Sequence, residues 1–160
     1  AMRTHLSISF LLVIGALALS IQPSRVNPPV EPARTIQSAL DPPHEVMRIL
    51  DRSCADCHSN RTVWPWYSRV QPMASLIGRD VEQGRAAMNF SEWPAGAKGA
   101  GFLLAACAAM DAGVMPKKPY RMMHPDKAPT REDIRVVCSW SREQAQRQMT
   151  LRRRAEGAGQ

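Results

Sequence analysis

The chain has 160 residues, 44% hydrophobic but only 6% aromatic, with a formal charge of +7; that length suits one small domain with appendages and excludes a second sizeable core. The charge lies mostly at the ends: residues 1–40 hold three Arg against one Glu (+2), residues 41–140 hold 13 Lys/Arg against 11 Asp/Glu (+2), and residues 141–160 hold five Arg against two Glu (+3). A nearly balanced middle excludes a nucleic-acid-binding domain, which concentrates basic residues on one face of its fold, so nucleic acid is not expected as a partner.

In chain order, Arg3 and His5 precede an apolar run from Leu6 to Ile21, the pattern of an export signal. Residues 1–22 are therefore a signal peptide or an uncleaved N-terminal membrane anchor. Ala16-Leu17-Ala18 is an acceptable cleavage site, but more apolar residues follow it, which favours an anchor formed by residues 6–21 with Arg3 on the inner side. The expected location is the periplasmic side of the bacterial inner membrane, or the soluble periplasm after cleavage. Residues 23–41, with Pro23, Pro28, Pro29 and Pro32, read as a semi-rigid linker.

A first domain helix is expected from Asp41 to Glu45 onward, capped by Asp41 and running through Cys54-Ala55-Asp56-Cys57-His58. Met47, Leu50, Cys54 and Cys57 step by three or four, so both thiols share one apolar stripe. Two thiols two residues apart with histidine next are the attachment signature of c-type haem. Cys54 and Cys57 would form the thioethers and His58 would ligate the iron. Zinc would need a second closely spaced pair, whereas Cys107 and Cys138 stand apart. A thioredoxin-like pair would need strands that the pattern lacks. Both alternatives, and a plain disulfide, stay open.

Arg61 to Val70 reads as an ordered loop in which Trp64, Trp66 and Tyr67 supply flat rings to wall a haem pocket, with Arg61 and Arg69 as candidate propionate partners. A second helix is expected over Pro72 to Ala87, weakened or ended by Gly84, and a third over Phe102 to Met110, too short to span a bilayer. Asp111 to Pro129 is expected to be a loop holding the sixth-ligand candidates. Met115, before Pro116 and shortly ahead of the last helix, is the first choice; His124 is its rival, and an open site is the third option. The last helix should open at Thr130 with Asp133 in a capping box. Residues 42–146 thus form the domain and residues 147–160 a basic polar tail. Cys107 and Cys138 fall on two different expected helices, where an inter-helix disulfide or two buried thiols are the choices.

These residues resemble the bacterial haem-binding domain family built around CxxCHSN. The resemblance runs from Asn27 to Trp140. It rests on Cys54 to Asn60, Trp64-Pro65-Trp66-Tyr67-Ser68, Pro72, Gly84-Arg85, Asn89-Phe90-Ser91-Glu92-Trp93, Met115-Pro116, Tyr120, His124 and Trp140. It implies a mostly helical c-type domain with one haem, behind an apolar segment and an Asn-Pro-Pro stretch like Asn27-Pro28-Pro29. Ala74 before Ser75 departs from the family's pattern, and Cys107 and Cys138 are not part of it.

The expected fold is all-α: a small c-type cytochrome-like domain of about four helices around one covalently bound haem c. The expected function is single-electron transfer, with a membrane redox complex or another cytochrome as partner. The alternatives are a haem-based peroxidase or gas or redox sensor with an open distal site, in which His124 could act in acid-base chemistry, and an accessory subunit of a membrane redox assembly.

Overall fold

The computed structural model describes residues 15 and 25–157. Seven α-helices and three short 3-10 turns make up its regular structure, and among the described residues there is no strand. The expected all-α class is thus observed. The four long helices are α2 (His44–Ser53), α4 (Met73–Ala87), α5 (Gly96–Asp111) and α7 (Arg131–Gly157); the short ones are α1 (Ile36–Leu40), α3 (Ala55–His58) and α6 (Lys118–Met123). None is long and apolar enough to cross a membrane among the described residues. The apolar run 6–21, save residue 15, lies outside them.

The stretch expected to be a linker is, from Arg25 onward, part of the folded domain. Thr35 caps α1 by accepting from the Ser38 N–H, and Asp41, at φ 44°, ends it in the left-handed region. Asp41 therefore closes α1 and does not cap α2, whose N-cap is Pro43. Ile36 is 1% exposed and sits in the core with Val46, Ile49, Leu50, Phe90, Trp93, Leu103, Met110, Val137 and Trp140. The backbone is bolted down as well: Ile36 N–H donates to Phe90 O at 2.8 Å and Trp93 N–H to Arg34 O at 2.8 Å. One isoleucine at the right place turns a proline-rich segment into a strap.

α2 buries Val46, Ile49, Leu50 and Ser53, a stripe at three- and four-residue spacing. It stops at Ser53, and α3 restarts the chain after Cys54, so the expected continuous helix through the motif is two pieces. α4 buries small residues, Ala74, Gly78 and Gly84, with Val81. Gly84 lies inside α4 and does not end it. A Cβ on Gly84 would collide with the Cys57 carbonyl and Cβ, so its absence lets α4 approach the motif closely. α5 begins six residues ahead of expectation, because Gly96 to Gly101 continue the helical run into Leu103, Cys107 and Met110.

α7 opens with the expected reciprocal cap: Asp133 N–H donates to Thr130 Oγ1 at 3.1 Å and Thr130 N–H to Asp133 Oδ2 at 2.7 Å. It buries Val137, Cys138, Trp140, Ser141 and Ala145 and then continues, exposed, to Gly157. Residues 147–157, expected as a polar tail, are thus helical. α5 and α7 pack along each other and are joined by a disulfide between Cys107 and Cys138, with Cα atoms 4.9 Å apart.

Candidate cofactor site

The short turn from Cys54 to His58 is held by polar groups that follow it. Ser59 is fully buried; its hydroxyl donates to Ala55 O at 2.7 Å and accepts from Arg61 N–H at 3.0 Å. Asn60 N–H donates to Ser91 Oγ, and the Asn60 side-chain oxygen accepts from Asn89 Nδ2 at 2.9 Å. Phe90 N–H donates to His58 O at 2.7 Å. Arg85 donates from Nε to Ser59 O at 2.9 Å and from a terminal nitrogen to Asn27 Oδ1 and Thr62 Oγ1. Ser59-Asn60, Asn89 to Ser91, Arg85 and Asn27, distant in sequence, are one network, buried at Ser59, Asn60, Asn89 and Ser91 and open at Asn27, that fixes the motif. A buried polar network of this kind stabilises only when its members are paired.

Beside this turn lies a mostly apolar cavity of about 520 Å³, within the roughly 300 to 1,000 Å³ typical of cofactor sites. Cys54, Cys57 and His58 line it, as do Tyr67, Met115 and His124. Leu50, Val81, Phe90, Phe102 and Met110 give it apolar walls. The Ser53 hydroxyl on its wall is buried without a partner.

His58 is prepared as a ligand. Its Nδ1 lies 3.0 Å from Met88 O, and a carbonyl only accepts, so Nδ1 carries the proton and Nε2 keeps its lone pair. Burial pushes the imidazole below its ordinary value, against the opposing pull of the Met88 bond, which keeps it neutral at pH 7. Burial likewise pushes the thiols up, Cys54 to about 12 and Cys57 to about 11, with the neighbouring thiol and carboxylates adding to it. That direction is opposite to the lowered thiol of an activated redox pair. The Cys107–Cys138 bond takes the other two thiols out of any four-cysteine zinc site.

The aromatic expectation needs correction. Trp66 is 77% exposed, Trp64 Nε1 donates to Asn27 Oδ1, and neither borders the cavity. Tyr67 alone of the three does. Arg61 pairs with Asp51 at 3.0 Å and Arg69 does not border the cavity; among the described residues Lys117, paired with Asp80 at 2.5 Å, is the lysine or arginine that does. Of the sixth-ligand candidates, His124 has its Nε2 2.6 Å from the Tyr67 hydroxyl, while Met115 borders the cavity with its backbone N–H anchored to Ala109 O.

A helical domain whose apolar cavity carries two thiols and a neutral histidine on one short turn has the donor set and the walls for an iron porphyrin, and it defines a haem-binding protein. The family model of the haem-binding domain matches residues 13–143, and the chain belongs to that family. No curated protein and no solved structure matches it.

Proposed function

We propose that the domain carries one haem, bound covalently as haem c through Cys54 and Cys57 with His58 as proximal ligand and Met115 as sixth, and that it transfers single electrons in the periplasm. The observation that carries this reading is that both thiols, the lone-pair nitrogen's histidine and Met115 all border one apolar cavity. Such a group supplies the electron chemistry when bound. The chain's part is to attach it, orient His58 through Met88, and exclude water with Leu50, Phe90 and Phe102. Lys117, which borders the cavity and pairs with Asp80, would be the cation to meet a propionate.

Met115 is favoured over His124 because a thioether competes weakly for hydrogen bonds, whereas ligation by His124 Nε2 would first break its bond to Tyr67. Periplasmic placement draws on the apolar run 6–21, which suits an anchor, and on the Cys107–Cys138 disulfide, which suits an oxidising compartment. The partner is then a membrane redox complex or another cytochrome. A second reading, a peroxidase or gas sensor with an open site, draws on the Tyr67–His124 pair at the cavity wall, which could move a proton.

Optical spectra of the purified protein, oxidised and reduced, with and without carbon monoxide, separate the two. The electron carrier shows a low-spin spectrum, the charge-transfer band of a methionine-iron bond and no carbon monoxide response. In Met115→Ala that band disappears and the reduction potential falls. A high-spin wild type that binds carbon monoxide readily overturns the carrier in favour of the second reading, and haem lost on a denaturing gel overturns covalent attachment.

A further inference from the structure

We infer that Asp56, between the two motif cysteines, is a positioning residue that latches the Met115–His124 segment to the attachment turn. The contacts stand by themselves; their consequence for the sixth position rests on the haem reading above.

Three donors from separate parts of the chain converge on this carboxylate. Val63 N–H donates to Oδ1 at 3.0 Å, and the Tyr120 hydroxyl and Lys127 Nζ donate to Oδ2 at 2.7 Å and 2.5 Å. Tyr120 and Lys127 flank His124, and the Tyr120 ring lies 4.9 Å from the imidazole, centroid to centroid. The pair is not an exposed ornament, since the Asp56 and Lys127 side chains are 14% and 23% exposed; fully solvated pairs contribute little. Burial pushes the Asp56 carboxyl up, but the bonds from Lys127, Tyr120 and Val63 outweigh it and hold it below its ordinary value, so it stays an anion.

The latch holds the far end of this segment. Neither α6 nor the 3-10 turn Pro125–Lys127 contains a buried residue, so apolar burial holds the segment only at its start, where Pro116 is buried and Met115 half-buried. It is also tied by the Met115 N–H bond to Ala109 O, the half-exposed Lys117–Asp80 pair, the Arg121 bond to Gly113 O and the Tyr67–His124 bond. Asp56 is the tie that runs directly to the turn bearing Cys54, Cys57 and His58. Releasing it frees the candidate sixth ligands relative to the attachment point while leaving the helical core in place.

The test uses the full chain as Asp56→Asn, Tyr120→Phe and Lys127→Met, with amide hydrogen exchange read over residues 114–128 and over α5 as a control. Losing charge-assisted bonds at a partly buried site is expected to speed exchange at the Arg121 and His124 amides about tenfold or more in Asp56→Asn, with α5 unchanged. In the haem-loaded protein the same variant weakens the sixth-ligand band and speeds carbon monoxide binding by a similar factor. If Asp56→Asn does not fold, Tyr120→Phe and Lys127→Met decide by the same readings. Exchange in 114–128 within about twofold of wild type in all folded variants overturns the latch. Haem staining of a denaturing gel reports separately on covalent attachment, so a wild type without bound haem defeats the earlier reading while exchange still decides on Asp56.

Discussion

Gly84 shows how one missing methyl group positions the site. Its Cα faces the Cys57 backbone so closely that any side chain must push α4 or the attachment turn away. Gly84→Ala is expected to cost about 1 to 3 kcal/mol, the range for overpacking a tight contact. Chemical denaturation of the haem-loaded protein checks this; an unchanged midpoint would show that the contact can relax freely. Ser59 and Asn60 make the same point with polar atoms, since they are buried and fully engaged where the motif alone shows only two small hydrophilic residues. The periodicity of the sequence carries no signal for either role: the Ser59 hydroxyl pairs locally with Ala55 and Arg61, but the Ser59 carbonyl and the Asn60 amide depend on Arg85 and Ser91, 26 and 31 residues away.

At the scale of elements, α7 depends on its start and on its bond to α5. Asp133 accepts from the Thr130 backbone and hydroxyl and from Arg52 at 2.7 Å. Burial pushes its carboxyl up, but these bonds prevail and hold it below its ordinary value. A group depressed in the folded state stabilises above its unfolded value, near pH 4, and that contribution is lost as pH falls through the lower folded value. Asp133→Asn should therefore be destabilised by about 1 kcal/mol at pH 7 and differ less from wild type under strong acid. Urea midpoints measured across that range check the sign, and a constant difference would reject it. The Cys107–Cys138 bond closes a separation of 31 residues, for which the loop-entropy account gives about 3 to 4 kcal/mol. The Cys107→Ser/Cys138→Ser double variant should lose about that much in denaturation while retaining haem on a denaturing gel.

For the whole molecule, the cavity joins groups from the first half of the chain to groups from the second, and the strap around Ile36 closes the core beside it. A free spacer would tolerate any residue at position 36. Ile36→Ala is instead expected to cost about 2 to 5 kcal/mol, as for other fully buried aliphatic side chains, with thermal unfolding as the measure. A loss under about 0.5 kcal/mol would return the segment to the status of a linker.

The sequence alone determined the helical class, the start of α7 at Thr130 and the haem-binding nature of the chain. Each rests on local order: apolar residues at helical spacing, a cap within four residues, and three reactive side chains within five positions. Tertiary structure decided what local order cannot carry. Trp64, Trp66 and Tyr67 are neighbours of similar chemistry, yet in the folded chain Tyr67 borders the cavity, Trp66 faces solvent and Trp64 pairs with Asn27. Asp56 is a bystander in the motif until Tyr120 and Lys127, 64 and 71 residues away, arrive at its carboxylate. Long-range pairing is set by how the helices pack, and packing depends on the whole set of buried side chains, which no short stretch of sequence displays.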